Sequence, residues 1–133
     1  NKVATMSLSI VSILKGNLFT RGLPFNIMKK TVLGGRYKLS VVFVGNAHSR
    51  KLNKTYRGKD KPANVLSFPL SASEGEIFLN PILAKKDAPA FNVTHKKMLG
   101  ILFIHGILHL KGLRHGSTME KAEKKFQKRF SLV

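Results

Sequence analysis

Apolar positions along the chain recur at two periods, and where the period changes marks the elements. SLSIVSIL at 7–14 alternates serine with Leu8 and Ile10 before Ile13 and Leu14, which predicts a strand; the first fifteen residues, NKVATMSLSIVSILK, are read that way and not as an export signal. PFNIMKKTVLG at 24–34 has helical spacing, with Pro24 near its start and Gly34-Gly35 ending it, and KLSVVFVG at 38–45 is a strong strand pattern. NAHSRKLNKTYR at 46–57 predicts a helix capped by Asn46, with Leu52 and Tyr56 one turn apart on one face. NVLSFPL and GEIFLN predict two strands joined through Ser-Ala-Ser-Glu-Gly, as in an antiparallel pair. A short helix at PILAKK, a break at Pro89 and helices over about 93–111 and 117–130 complete the order; no repeat or low-complexity tract occurs, and KKDAPAFN at 85–92 is the weakest linker candidate.

The order β-α-β-α-β-β-α-α predicts an α+β fold of α/β-like character, a mixed sheet of about four strands with helices packed on it. At 133 residues the chain reads as one domain, 1–133, able to bury roughly two-thirds of its unfolded surface. The segment at 93–111 is apolar nearly all round, from Met98 and Leu99 to Ile107 and Leu108, so it should be central. Its apolar run, MLGILFIHGILHL, is too short for a bilayer and contains two histidines, and the expectation is a cytoplasmic protein with no membrane partner.

Charge narrows the choice of partners. Lys and Arg number 24 against 6 Asp and Glu, a net charge of +18 spread along the chain, and such a field attracts polyanions: RNA, DNA or a ribosomal surface. The bases gather in SRKLNKTYRGKDK (Arg50, Lys51, Lys54, Arg57, Lys59, Lys61) and in the last helix (Lys121, Lys124, Lys125, Lys128, Arg129), and few aromatics interleave with them. Phosphate contact is therefore expected over stacking-based sequence readout. The absence of cysteine excludes disulfide scaffolds and thiolate metal sites, leaving histidine or carboxylate as the only metal ligands.

Such ligands occur in HGILHLKGLRH at 105–115, where His105, His109 and His115 are spaced H-x3-H-x5-H. Four residues apart on a helix, His105 and His109 project from one face, and Gly112 can end the helix in a left-handed turn that brings His115 back. Three neutral imidazoles would leave a tetrahedral Zn²⁺ one open position, the arrangement of a catalytic site. Buried imidazoles are also held in the neutral form that binds metal. The same spacing occurs in H-E-x-x-H-x-x-G-x-x-H metallopeptidases, but here Gly106 stands where those enzymes need a general-base glutamate.

HGILHLKGLRH followed by Glu120 resembles the H-G-x-L-H-L-x-G-x-D-H-x4-E signature of the YbeY family, bacterial metal-dependent endoribonucleases of ribosomal RNA maturation. LNKTYRGKDKPANVLSFP at 52–69 and GEI at 75–77 are similar to that family's L-N-x-x-Y-R-x-x-x-x-x-T-D-V-L-S-F-P and G-D-I blocks. The resemblance implies that His105, His109 and His115 hold one zinc ion and that Arg57 is the catalytic arginine of the cleft, with Ser67 lining the same cleft. It implies a single-strand endoribonuclease acting on ribosomal RNA and in ribosome quality control, with the small ribosomal subunit as partner and no small-molecule cofactor. An arginine beside a metal can hold a phosphodiester oxygen in bidentate fashion and stabilise growing negative charge.

Two acidic positions of the family pattern are lost: Arg114 stands for the aspartate before the third histidine, and Ala63-Asn64 for Thr-Asp, whereas Glu76 keeps a carboxylate in the G-D-I block. A binding-competent assembly factor with a structural metal is the alternative reading, and a metallopeptidase-like hydrolase a weaker one.

Overall fold

The structure is a computed structural model that describes residues 7–14 and 22–133; the parts of the amino-terminal reading that fall on 1–6 and on Lys15 lie outside them. In chain order the elements are β1 (Leu8–Ser12), α1 (Phe25–Leu33), β2 (Lys38–Phe43), α2 (Asn46–Arg57), β3 (Val65–Ser71), β4 (Glu74–Leu79), α3 (Pro81–Asp87), a 3₁₀ turn (Ala88–Phe91), α4 (His95–Leu110) and α5 (Ser117–Arg129). The α+β class and the four-stranded mixed sheet are those the pattern predicts.

The sheet order is β1-β2-β4-β3. β1, β2 and β4 run parallel, and β3 is antiparallel to β4. Pairing of Ser71 with Glu74 narrows the hairpin turn to Ala72-Ser73, with an irregularity at Pro69/Ser71. Proline donates no backbone N–H, and β3 is an edge strand, where that loss is tolerated.

α4 is the central helix. Met98, Leu99, Phe103, Ile104, Ile107 and Leu108 are almost completely buried and join Val41, Phe43, Ile77 and Leu79 of the sheet and Phe25 and Met28 of α1 in one core. It begins at His95, two residues after the predicted start at 93, because Thr94 Oγ1 accepts from Lys97 N at 3.2 Å, a side-chain cap.

Two local readings are corrected. Asn46 is not the cap of α2: Gly45 occupies the cap position with extended backbone, and Asn46 Oδ1 instead accepts from Asn80 Nδ2 at 2.8 Å. The stretch 85–92 is not a linker either, because it forms the end of α3 and the 3₁₀ turn and puts Ala88 into the core.

Asn80 is buried with every polar group used. Its Oδ1 caps α3 by accepting from Ile82 N and Leu83 N, while Nδ2 donates to Asn46 Oδ1 and Ser49 Oγ. Ser49 Oγ in turn accepts from Ala63 N, and Asn53 Nδ2 donates to Lys61 O at 2.9 Å. α2 is thus anchored by its buried polar residues Ser49 and Asn53, which hold the 58–64 loop and, with it, one wall of the site.

Candidate metal centre and its cleft

His105 and His109 lie on one face of α4, their Nε2 atoms 3.1 Å apart. Gly112 has φ +106°, a left-handed backbone that costs an L side chain strain, and the chain turns there so that His115 returns. The His115 ring centroid then lies 5.3 Å from that of His105 and 4.7 Å from that of His109. One nitrogen from each of the three rings falls within 4.8 Å of the others.

The outward ring nitrogens fix which nitrogens are free to ligate. His105 Nδ1 is 3.0 Å from Glu123 Oε2, and His109 Nδ1 is 3.2 Å from Leu113 O. An ionised carboxylate and a carbonyl only accept, so both Nδ1 atoms carry the hydrogen and both Nε2 lone pairs face inward. Two lone pairs at 3.1 Å repel unless a cation lies between them. The donor set therefore fits a metal: three imidazole nitrogens and no thiolate, suited to zinc and its neighbours in the series. Burial, reinforced by His105, His115 and Arg57, holds the His109 pKa below its ordinary value, keeping the ring in its ligating form.

The histidines open onto a cleft of about 550 Å³ whose other lining residues include Arg57, Lys59, Lys61, Asn64 and Ser67, with no Asp or Glu among the described lining residues. Such walls concentrate anions. Arg57, the last residue of α2, donates from Nη2 to Ser67 O at 2.9 Å across the open edge of β3, and four of its five N–H groups remain. Lys59 N and Gly58 N close the helix end behind it.

Ser67 lines the cleft but is a structural staple, with Oγ donating to Gly106 O at 3.0 Å. Gly106 is small because α4 passes close to the sheet there: an added Cβ would lie 3.0 Å from Ile77 Cδ1 and from Ser67 Oγ. The position that holds glutamate in a metallopeptidase therefore faces the sheet, away from the histidine face.

The remaining acidic positions sort by geometry. Glu76 alternates with Ile77, whose side chain meets α4, so Glu76 lies on the opposite sheet face and away from the histidines. Glu120 is exposed in the first turn of α5, and it is Glu123, one turn later, that reaches the ligands. Sequence reasoning missed Glu123: it shares the inward face of Met119, four positions before it and 1% exposed, and that burial is settled by packing. Asn64 donates to Asp87 Oδ2 at 3.0 Å at the cleft wall. Arg114 is exposed and is not among the described cleft-lining residues.

Comparison with known proteins places this geometry. Residues 18–132 match the family described as Endoribonuclease YbeY. Endoribonuclease YbeY of Thermotoga maritima is 36% identical over 109 residues, covering 80% of this chain and 71% of that protein. The Acholeplasma laidlawii protein of the same name is 39% identical over 89 residues, 64% of this chain and 65% of its own length. The solution structure of TM1509 from Thermotoga maritima superposes with a TM-score of 0.68 at 29% identity, covering 92% of this chain and 88% of that one. Matched by the family model over residues 18–132, with a 36% identical relative over 80% of its length, the chain belongs to the YbeY endoribonuclease family.

Proposed function

We propose that the protein is a zinc-dependent endoribonuclease that cuts single-stranded RNA, acting as one domain over 1–133 on ribosomal RNA precursors and in ribosome quality control at the small subunit. The observation that carries this reading is the convergence of three imidazole nitrogens in a cleft whose described walls hold cations and no carboxylate. A cytoplasmic setting goes with it; no helix among the described residues is long and apolar enough to cross a membrane.

His105, His109 and His115 would hold the ion, which when bound acidifies a water and polarises a phosphoryl oxygen. Glu123 and the Leu113 carbonyl keep His105 and His109 in the Nδ1–H tautomer and fix their ring planes. Arg57, anchored at one N–H by Ser67 O, presents the others to a phosphodiester oxygen and offsets the charge that grows as the bond breaks. Lys59 and Lys61 on the cleft wall draw the strand in, and the exposed bases of α5, including Lys121, Lys124, Lys125, Lys128 and Arg129, extend the field that reaches the ribosomal surface.

The test is cleavage of a single-stranded ribosomal RNA fragment, a duplex and casein by freshly purified protein, before and after chelation and on zinc return. Cutting confined to the single strand and restored by zinc is the expected result. RNA binding without any cutting would instead make the chain a binding factor with a structural metal. Arg57→Ala should lower turnover by 10²-fold or more, on the order of a lost transition-state donor, and change affinity little.

A further inference from the structure

Tyr56 is 65% exposed, although the helical spacing pairs it with Leu52 on the side of α2 that meets the sheet. Its ring makes an edge contact with Phe68, centroids 5.3 Å apart at 62°, and Phe68 rests in turn against Phe78 at 5.7 Å. The guanidinium of Arg57, the next residue along, lies 5.6 Å from the same Phe68 ring. Two consecutive side chains thus flank one ring at the edge strand β3, the cation on the cleft side and the phenol on the outer side.

An exposed tyrosine on a helix is by itself ordinary. What sets this one apart is its backing and its neighbours. The Phe68 contact restrains the Tyr56 ring, so little side-chain freedom is lost when something is laid on it. The surrounding surface is cationic: α2 contains no acidic residue, and Lys51, Lys54, Arg57 and Lys59 are all exposed. Two carboxylates share this sheet face on β4, Glu76 as the cross-strand partner of Phe68 and Glu74 as the partner of Ser71, and the cations of α2 outnumber them. A ligand suited to a restrained aromatic face beside a guanidinium, in a field of lysines, has a flat π-system and a phosphate on one short unit.

We propose that Tyr56, backed by Phe68, is a stacking platform for a nucleobase of the RNA strand, next to the phosphate held by Arg57. The strand leaves the cleft across the open edge of β3 and lays a base on the Tyr56 ring. This rests on the RNA reading above and deepens it by giving the bases, and not only the phosphates, a place on the protein. Stacking of this kind tolerates any base, so it sets the binding register on single strands without reading sequence, and a paired strand cannot use it.

The chain contains no tryptophan, so Tyr56→Trp supplies a single tryptophan at the platform, excited selectively at the red edge where Tyr37 does not absorb. The variant is titrated with a short 2′-O-methyl RNA and with an abasic strand carrying the same number of phosphates. The expected result is strong quenching by the RNA and little by the abasic strand at equal occupancy. Tyr56→Ala should weaken RNA binding about five- to tenfold, the lower range of a lost base stack, leave abasic binding within about twofold, and raise KM more than it lowers kcat. Tyr56→Phe should restore the wild-type value. Equal quenching by both strands, or an alanine variant that weakens both alike or neither, would overturn the platform while steep salt dependence of abasic binding keeps the RNA reading. Failure of the wild type to bind either strand would overturn both.

Discussion

The Glu123 carboxylate stands 3.0 Å from Nδ1 of His105, reaching it from α5, a different helix from the one that carries the ligand. With Asn64 and Arg114 where the family pattern has aspartates, Glu123 is the carboxylate that the described ligand set touches. It fixes the tautomer and makes His105 a stronger donor. Glu123→Ala should weaken zinc binding about 10- to 100-fold, the usual cost of losing such a partner, and Glu123→Gln less, since its amide oxygen can still accept. Chelator competition measures this, and nitrogen chemical shifts of the metal-free His105 ring report the tautomer. Glu120→Gln is the control, being exposed; equal losses at 120 and 123 would show a general charge effect.

His109 gives a pH dependence with a defined sign. Its pKa is lowered from 6.5, first by burial and then by His105, His115 and Arg57. Above 6.5 the ring is neutral folded or unfolded and contributes no slope. As pH falls through 6.5 the unfolded chain takes up a proton that the folded chain refuses, so the metal-free protein loses stability, by up to about 1.4 kcal/mol per pH unit, until the folded pKa is passed. Chelated His109→Asn should show a flatter denaturation profile between pH 8 and 5, and should also lose bound zinc. Superimposable wild-type and variant profiles would remove His109 as the cause.

Gly106 ties the site to the core. A methyl group there meets Ile77 Cδ1 and Ser67 Oγ at 3.0 Å and crowds the carbonyl that Ser67 holds. Gly106→Ala should therefore cost about 1–3 kcal/mol in overpacking, offset by about 1 kcal/mol of helix propensity gained over glycine, for a net loss of up to about 2 kcal/mol. Gly106→Glu, which would recreate the metallopeptidase pattern, should unfold the helix–sheet contact and yield no peptidase activity. Urea denaturation checks the first, and soluble expression with casein hydrolysis the second.

These contacts show which parts of the molecule were legible in the chain. Elements with a clear period came through: β2, α1 and the apolar α4 follow directly from residue spacing, and so do the histidine pair and the glycine turn. What depends on pairing across long separations did not. The placement of β4 between β2 and β3 has no local signature. Asn46 looked like a cap because caps are usually local, but its amide is taken by Asn80, 34 residues away. Glu123 and Glu120 are chemically identical, and only the packing of Met119 decides which one reaches His105.

Arg114 separates a charge that opposes the metal from one that serves the substrate. It is exposed, it appears in no hydrogen bond or salt bridge among the described residues, and His115 beside it lines the cleft, so the two side chains part at the turn. A guanidinium surrounded by water is screened from a dication in the cleft and free to meet a phosphate arriving there. Arg114→Asp should thus leave zinc affinity within about threefold, weaken binding of single-stranded RNA modestly and reduce the salt slope by about 0.7, the share of one phosphate contact. Cleavage should rise if the restored aspartate orients a ligand. A tenfold gain in zinc affinity, ~1.4 kcal/mol, would mean that Arg114 acts on the ion directly, and an unchanged salt slope would remove it from the RNA path.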